Sequence, residues 1–193
     1  MHIFYLMGKS AVGKDTVYQK LLVKFPMLRP LVPYTTRPQR QGEEEGREYH
    51  FVGEELFLCL RESGRMIEER AYRTEKGLWR YGSVAEEEAE TVSRIGIGTL
   101  ESYQKFCAYF GRERMIPFYL EVTAGERLLR GFRREKKEAE PCYPELVRRF
   151  QADEADYTEE KLLAAGIRKR YENLNLERCL GELYEVVLQY VRF

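Results

Sequence analysis

The chain is poor in the residues that hold metals and disulfides: its 193 residues include two histidines and four cysteines. Cys59, Cys107, Cys142 and Cys179 stand far apart with no CxxC pair, which argues against a zinc site and for reduced thiols. No apolar run approaches the ~20 residues a membrane-spanning helix needs. The amino-terminal apolar run is short and lacks the basic lead-in of a secretory signal. An excess of one charge is also missing. The 32 basic and 32 acidic residues cancel, so no global field draws the chain to nucleic acid or to a membrane. Internal repeats and low-complexity linkers are absent too. What remains, 33% charged against 44% hydrophobic, is the composition of a globular protein expected in the cytoplasm, with length for one domain and a real core.

What is present concentrates in Gly8-Lys9-Ser10-Ala11-Val12-Gly13-Lys14-Asp15-Thr16. Residues 8–15 satisfy GxxxxGK and depart from the P-loop pattern at its last position, where Asp15 replaces Ser or Thr. The context agrees. Residues 3–7 are an apolar run suited to a buried strand, and Val17, Leu21, Leu22 and Phe25 recur at helical spacing. Strand, glycine loop and helix are what phosphate binding requires. Gly8 and Gly13 let backbone N–H groups of residues such as Ser10 close round phosphate oxygens, and Lys14 reaches the phosphates being transferred.

The helix after the loop is expected to stop near Phe25, because Pro26 and Pro30 bracket a turn. Residues 31–52 are polar and punctuated by glycine. The pattern predicts a short helix over 56–60, a strand over 66–69, a hairpin tip at 75–77, a strand over 79–83 and an acidic helix over 85–92. Core strands are expected at 95–98 and 118–122 with a helix over 100–110 between them. A basic helix over 127–137, a second over 145–155 and a closing helix over 177–191 follow. Strands alternating with helices imply an α/β fold with a parallel sheet.

The segment from Tyr34 to Phe51, Tyr-Thr-Thr-Arg-Pro-Gln-Arg-Gln-Gly-Glu-Glu-Glu-Gly-Arg-Glu-Tyr-His-Phe, names an acceptor. Arg37 and Arg40, held by turn residues and followed by Tyr49, can clamp an anion from several sides, because guanidinium groups donate in a planar fork. TTRPxRxGExxGxxYHF resembles the nucleoside-monophosphate segment of the guanylate kinase family. The likeness extends to Glu68, to Tyr81-Gly-Ser83, to the basic segment and to Asn173, and so spans most of the chain. It implies a P-loop NTPase-type parallel sheet flanked by helices, with a small nucleoside-monophosphate-binding subdomain and a helical lid. The corresponding division is a core of 1–32, 93–130 and 150–193, an acceptor region of 33–92 and a lid of 131–149.

By that resemblance Arg37, Arg40, Tyr49 and Tyr81 hold the acceptor phosphate. Glu68, with Ser83 nearby, accepts hydrogen bonds from guanine. Arg130, Arg133 or Arg134, and Arg149 close over the ATP phosphates, while Asn173 lies against adenine. Helical spacing puts Arg127, Arg130 and Arg134 on one face and leaves open which of Arg133 and Arg134 turns inward. The implied reaction is ATP plus GMP giving ADP and GDP with Mg²⁺, catalysed through Lys14, Arg37, Arg130 and Arg149. Small nucleotides are the expected partners, with no nucleic acid and no membrane. The alternatives are a related kinase for dGMP, another nucleotide or ribose 1,5-bisphosphate, and a non-catalytic guanylate-kinase-like binding module.

Three departures mark this chain. Asp15 and Thr16 stand where a hydroxyl would serve magnesium, and a carboxylate can do so too. Pro33 and Tyr34 occupy the place of a serine pair that helps read guanine. Residues 97–102, Ile-Gly-Thr-Leu-Glu-Ser, replace an acidic strand resembling Asp-x-Asp-x-x-Gly, and Asp15 is the candidate substitute for its charge.

Overall fold

The structure, a computed structural model, describes residues 1–40, 42–74, 77–85, 92–138 and 140–191. In chain order the first elements are β1 (Ile3–Met7), α1 (Lys14–Lys24), β2 (Arg29–Pro30), β3 (Tyr34–Thr35), β4 (His50–Phe51), α2 (Glu54–Glu62), β5 (Met66–Thr74) and β6 (Gly77–Val84). They are followed by β7 (Arg94–Ile97), α3 (Leu100–Phe110), β8 (Met115–Glu121), α4 (Ala124–Glu135), α5 (Tyr143–Asp156), α6 (Glu159–Ala164), β9 (Tyr171–Glu172) and α7 (Leu176–Tyr190).

β1 explains the layering. All five of its residues are buried, and the two-residue period of a strand sends them alternately to opposite faces. Phe4 and Leu6 pack with Val17 and Leu21 of α1 and with Leu180, Leu183 and Val187 of α7. Ile3, Tyr5 and Met7 pack the other way, against Leu100, Tyr103 and Phe106 of α3 and Leu162 of α6. Each such side chain contributes on the order of 1.5–3 kcal/mol on leaving water. The sheet between these layers is β2-β7-β1-β8-β9, with every pairing parallel. A parallel sheet needs both faces covered, and here helices cover both.

A second sheet, β4-β3-β6-β5, carries the acceptor segment. Its main feature is the antiparallel β5/β6 pair, in which Glu68 lies opposite Ser83 and Arg70 opposite Tyr81. Residues opposite one another share a face, so Glu68, Arg70, Tyr81 and Ser83 form one wall. Among the described residues two side-chain hydrogen bonds join this sheet to α3 of the core. Arg70 Nη1 donates to Thr99 Oγ1 at 3.4 Å, and Lys105 Nζ donates to the Glu69 carbonyl at 3.3 Å.

The expected helices at 100–110, 127–137, 145–155 and 177–191 are all present with ends shifted by three residues at most. The strand expected at 66–69 continues to Thr74, and that expected at 118–122 begins at Met115. β2, β3, β4, β9 and α6 were not expected. Residues 75–76 of the predicted hairpin tip and 86–91 of the predicted acidic helix lie outside the described residues.

Candidate active site

The loop after β1 is shaped by close approach. Gly8 has φ 149°, and a Cβ there would lie 2.4 Å from the Leu120 carbonyl of β8. Gly13, with φ 92°, is the N-cap of α1. Both conformations suit glycine. α3, α4, α6 and α7 have side-chain caps in Thr99, Thr123, Thr158 and Asn175, whereas α1 has none. Its first N–H groups therefore carry no internal acceptor, and the positive end of the helix dipole faces the loop.

Lys14 folds back over the loop, donating to the Gly8 carbonyl at 2.7 Å and the Lys9 carbonyl at 3.1 Å. Burial lowers its pKa against the opposing pull of Asp15 and Asp153. A phosphate brought to Lys14 would favour its charged form by direct Coulomb attraction.

A cavity of about 370 Å³ opens over the loop, lined by Ser10, Ala11, Gly13, Lys14, Asp15, Thr16, Arg130, Arg134 and Arg149. Loop and basic helices thus meet at one place. Of the adjacent pair, Arg134 lines the cavity and Arg133 does not. Arg130 is held by Glu126 Oε1 at 2.7 Å and by the Asn173 carbonyl at 2.9 Å. Arg149 Nε donates to Glu145 Oε1 at 2.8 Å. Arg134 makes no ion pair among the described residues. Asn173 Nδ2 donates to the Val12 carbonyl at 2.8 Å, and a Cβ on Gly13 would come within 2.6 Å of that nitrogen. Asn173 Oδ1 is buried with no hydrogen-bond partner among the described residues. The last helix is capped by Asn175, so Asn173 does not start it.

Arg127 differs from the other two arginines on its face. It is buried, and its Nη1 and Nη2 donate to Glu154 Oε1 at 2.6 Å and Asp153 Oδ2 at 2.8 Å, while Nε donates to the Ser10 carbonyl at 3.1 Å. The guanidinium lies 4.5 Å from the Phe150 ring centroid. Asp153 Oδ2 also accepts the Ser10 N–H at 2.7 Å, so α5 grips the loop directly. Sequence reading missed Asp153 and Glu154, which no local pattern distinguishes from other helix-surface acids.

On the second sheet Arg37 is 4% exposed and donates through both Nη atoms to Glu43, at 2.8 and 3.0 Å, and to the Pro38 carbonyl at 2.7 Å. Its guanidinium lies 5.3 Å from the Tyr49 ring and 5.6 Å from Phe51. Burial alone would raise the Glu43 pKa, but Arg37 and the Arg40 N–H outweigh it and leave it lowered. The Arg40 side chain is exposed. The rings of Tyr49 and Tyr81 stand 5.7 Å apart. Glu68, 3% exposed, accepts from Arg70 Nε at 2.9 Å, Arg70 Nη2 at 3.4 Å and Ser83 Oγ at 3.0 Å. Arg70 was not singled out in the sequence, although its position two after Glu68 on a strand gives it the same face.

The segment 97–102 is used structurally. Thr99 and Ser102 form a capping box on α3, and Glu101 pairs with Lys105 at 2.7 Å on the helix surface. No group of three or more metal-ligating side chains occurs among the described residues.

A glycine loop between a central parallel strand and an open helix N-terminus, roofed by arginines, defines a P-loop protein of the class that binds nucleoside triphosphates. Residues 1–95 match the model of the guanylate kinase family. The chain is 47% identical over 66 residues to a guanylate kinase from Oleidesulfovibrio alaskensis, covering 34% of this chain and 32% of that protein. It is 40% identical over 80 residues to a guanylate kinase from Tropheryma whipplei, covering 42% and 40%. These matches span about a third of the length of the curated relatives. A solved structure of guanylate kinase from Anaplasma phagocytophilum superposes with TM-score 0.67 at 20% identity, over all of this chain and 87% of that one. The fold is therefore shared along the whole chain.

Proposed function

We propose that this protein transfers the γ-phosphoryl group of ATP to GMP, giving ADP and GDP. The observation that carries the reading is the single cavity in which Lys14 and the open end of α1 meet Arg130, Arg134 and Arg149 from two other helices. Phosphoryl transfer spreads negative charge over the moving group, and preplaced cations lower that barrier. Lys14 and the three arginines would take this part, with Asn173 beside Gly13 towards adenine. Arg37, Arg40, Tyr49 and Tyr81 would hold the acceptor phosphate, and Glu68 with Ser83 the base. The acceptor phosphate is already anionic, so no general base is needed.

Magnesium fits the donors present, since Asp15 and Thr16 offer oxygen ligands on the cavity wall. Bound with ATP, it would neutralise phosphate charge. The regions 33–92 and 131–149 would close over the two substrates and exclude water, which competes as an acceptor. Among the described residues no helix is long and apolar enough to cross a membrane. The four cysteines are free thiols, which supports work in the cytoplasm.

The test is ADP release from Mg·ATP with GMP, dGMP, AMP, CMP, UMP or ribose 1,5-bisphosphate. GMP is expected to lead, and Lys14→Ala to lower turnover by about 10²–10³-fold. Turnover led by another acceptor would overturn the base assignment. ATP binding without turnover on any acceptor would point to a binding module.

A further inference from the structure

We propose that Arg70 is a base-selecting residue of the acceptor site, giving it a donor beside the Glu68 acceptor and so a preference for 6-oxopurine nucleotides. The inference rests on the GMP reading above and assigns the residue that recognises the oxygen at C6.

The base edge sets the problem. Guanine presents two donors, N1–H and the 2-amino group, followed by one acceptor, O6. An ionised carboxylate only accepts, so Glu68 can meet the donors and leaves O6 unanswered. A buried oxygen without a donor forfeits its hydration, and the site would lose most of its means of rejecting bases that differ there. A donor must stand next to Glu68 on the same wall.

Among the described residues two side chains bearing hydrogen-bond donors touch the Glu68 carboxylate. Ser83 has one hydroxyl hydrogen, which it gives to Glu68 Oε1 at 3.0 Å. Arg70 has five N–H groups. Nε and Nη2 each give one to Glu68, and Nη1 gives one to Thr99 Oγ1 at 3.4 Å. Each Nη thereby keeps a second hydrogen beyond these contacts. The side chain is held from both ends, by a buried carboxylate with 1% exposure and by the N-cap of α3 in the core. A guanidinium so pinned presents its donors in a fixed direction, which is what selectivity requires.

The alternative is that Arg70 merely neutralises a buried acid. In that case the identity of the atom at C6 would not matter to it. Adenine offers the converse edge, an amino donor at C6 and a lone pair on N1. It would set donor against Arg70 and acceptor against Glu68, so Arg70 would also act against AMP.

The experiment measures equilibrium binding and kcat/KM for GMP, 6-thio-GMP and AMP with wild type, Arg70→Met and Arg70→Gln. 6-thio-GMP keeps N1–H and the 2-amino group and weakens only the acceptor at C6. Wild type is expected to favour GMP over 6-thio-GMP by about 10-fold or more, the usual worth of a hydrogen bond to a charged donor. Arg70→Met should bring that ratio close to one and narrow the GMP/AMP ratio, while Arg70→Gln, which keeps a neutral donor, should fall between. A ratio unchanged in folded Arg70→Met overturns the inference and leaves the GMP reading standing. Should Arg70→Met not fold, a wild-type ratio below about threefold, or an Arg70→Gln ratio equal to wild type, overturns it equally. Failure of wild type to bind GMP at all removes the reading and the inference together.

Discussion

The two sides of the site treat their charges differently. Over the loop, Arg130 and Arg149 pair with glutamates one turn away on their own helices, Arg130 also donating to the Asn173 carbonyl, and Arg134 has no ion pair among the described residues. Such partly exposed pairs are worth a fraction of a kcal/mol, so an incoming polyphosphate displaces them easily. On the acceptor side, Arg37 with Glu43 and Arg70 with Glu68 are buried pairs with two hydrogen bonds each. There a ligand phosphate must compete with a carboxylate already in place. The loop side is a cationic surface held in readiness; on the second sheet each of these arginines is already matched by a carboxylate. On the proposed reading, charge would attract the donor and geometry would choose the acceptor.

The comparison can be broken most forcefully at Glu43. Glu43→Ala leaves Arg37 buried and unpaired, and about 3 kcal/mol of stability should be lost, at the low end for a buried pair because Glu43 is 18% exposed. The same change frees Arg37 for phosphate, so KM for GMP should fall even as urea denaturation shows a weaker fold. A rise in KM would mean that Glu43 orients Arg37 and does not compete for it.

A smaller effect separates the adjacent arginines of α4. Arg134→Ala should lower kcat/KM for ATP by about 10-fold or more, as expected for a charge-assisted phosphate contact. Arg133→Ala should change it less than about twofold. Equal losses would show that Arg133 also reaches the bound phosphate.

The smallest effect lies at Glu145, which binds both Arg148 and Arg149. The hydrogen bond from Arg148, then that from Arg149, brings its pKa down from 4.5 to about 2 despite some burial. A depressed folded-state pKa contributes stability that is present above pH ~4.5 and lost as pH falls towards 2. Because the pair is largely exposed, Glu145→Gln should cost no more than about 1 kcal/mol at neutral pH. Thermal melts of the two proteins should converge as pH approaches 2, and a constant gap would contradict the linkage.

Local patterns were enough to read the core. The run 3–7, the glycine spacing of 8–13 and the helical recurrence of Val17 and Leu21 each follow from a period, and all stand as expected. The two-residue strands β2, β3, β4 and β9 were illegible because only their partners make them strands. Spacing put Arg127 beside Arg130 and Arg134, yet two acids on α5 draw it out of the cavity, and that pairing spans 26 residues or more. The Arg70–Glu68 pair was within reach of a strand's alternation.

Gly98, just after β7, faces Tyr5 on the neighbouring strand. A Cβ there would lie 2.2 Å from the Tyr5 hydroxyl, which donates to Ser102 Oγ at 2.8 Å. A side chain at 98 would require both the Tyr5 ring and Ser102 to give way, so positions 5, 98 and 102 are free to change only together.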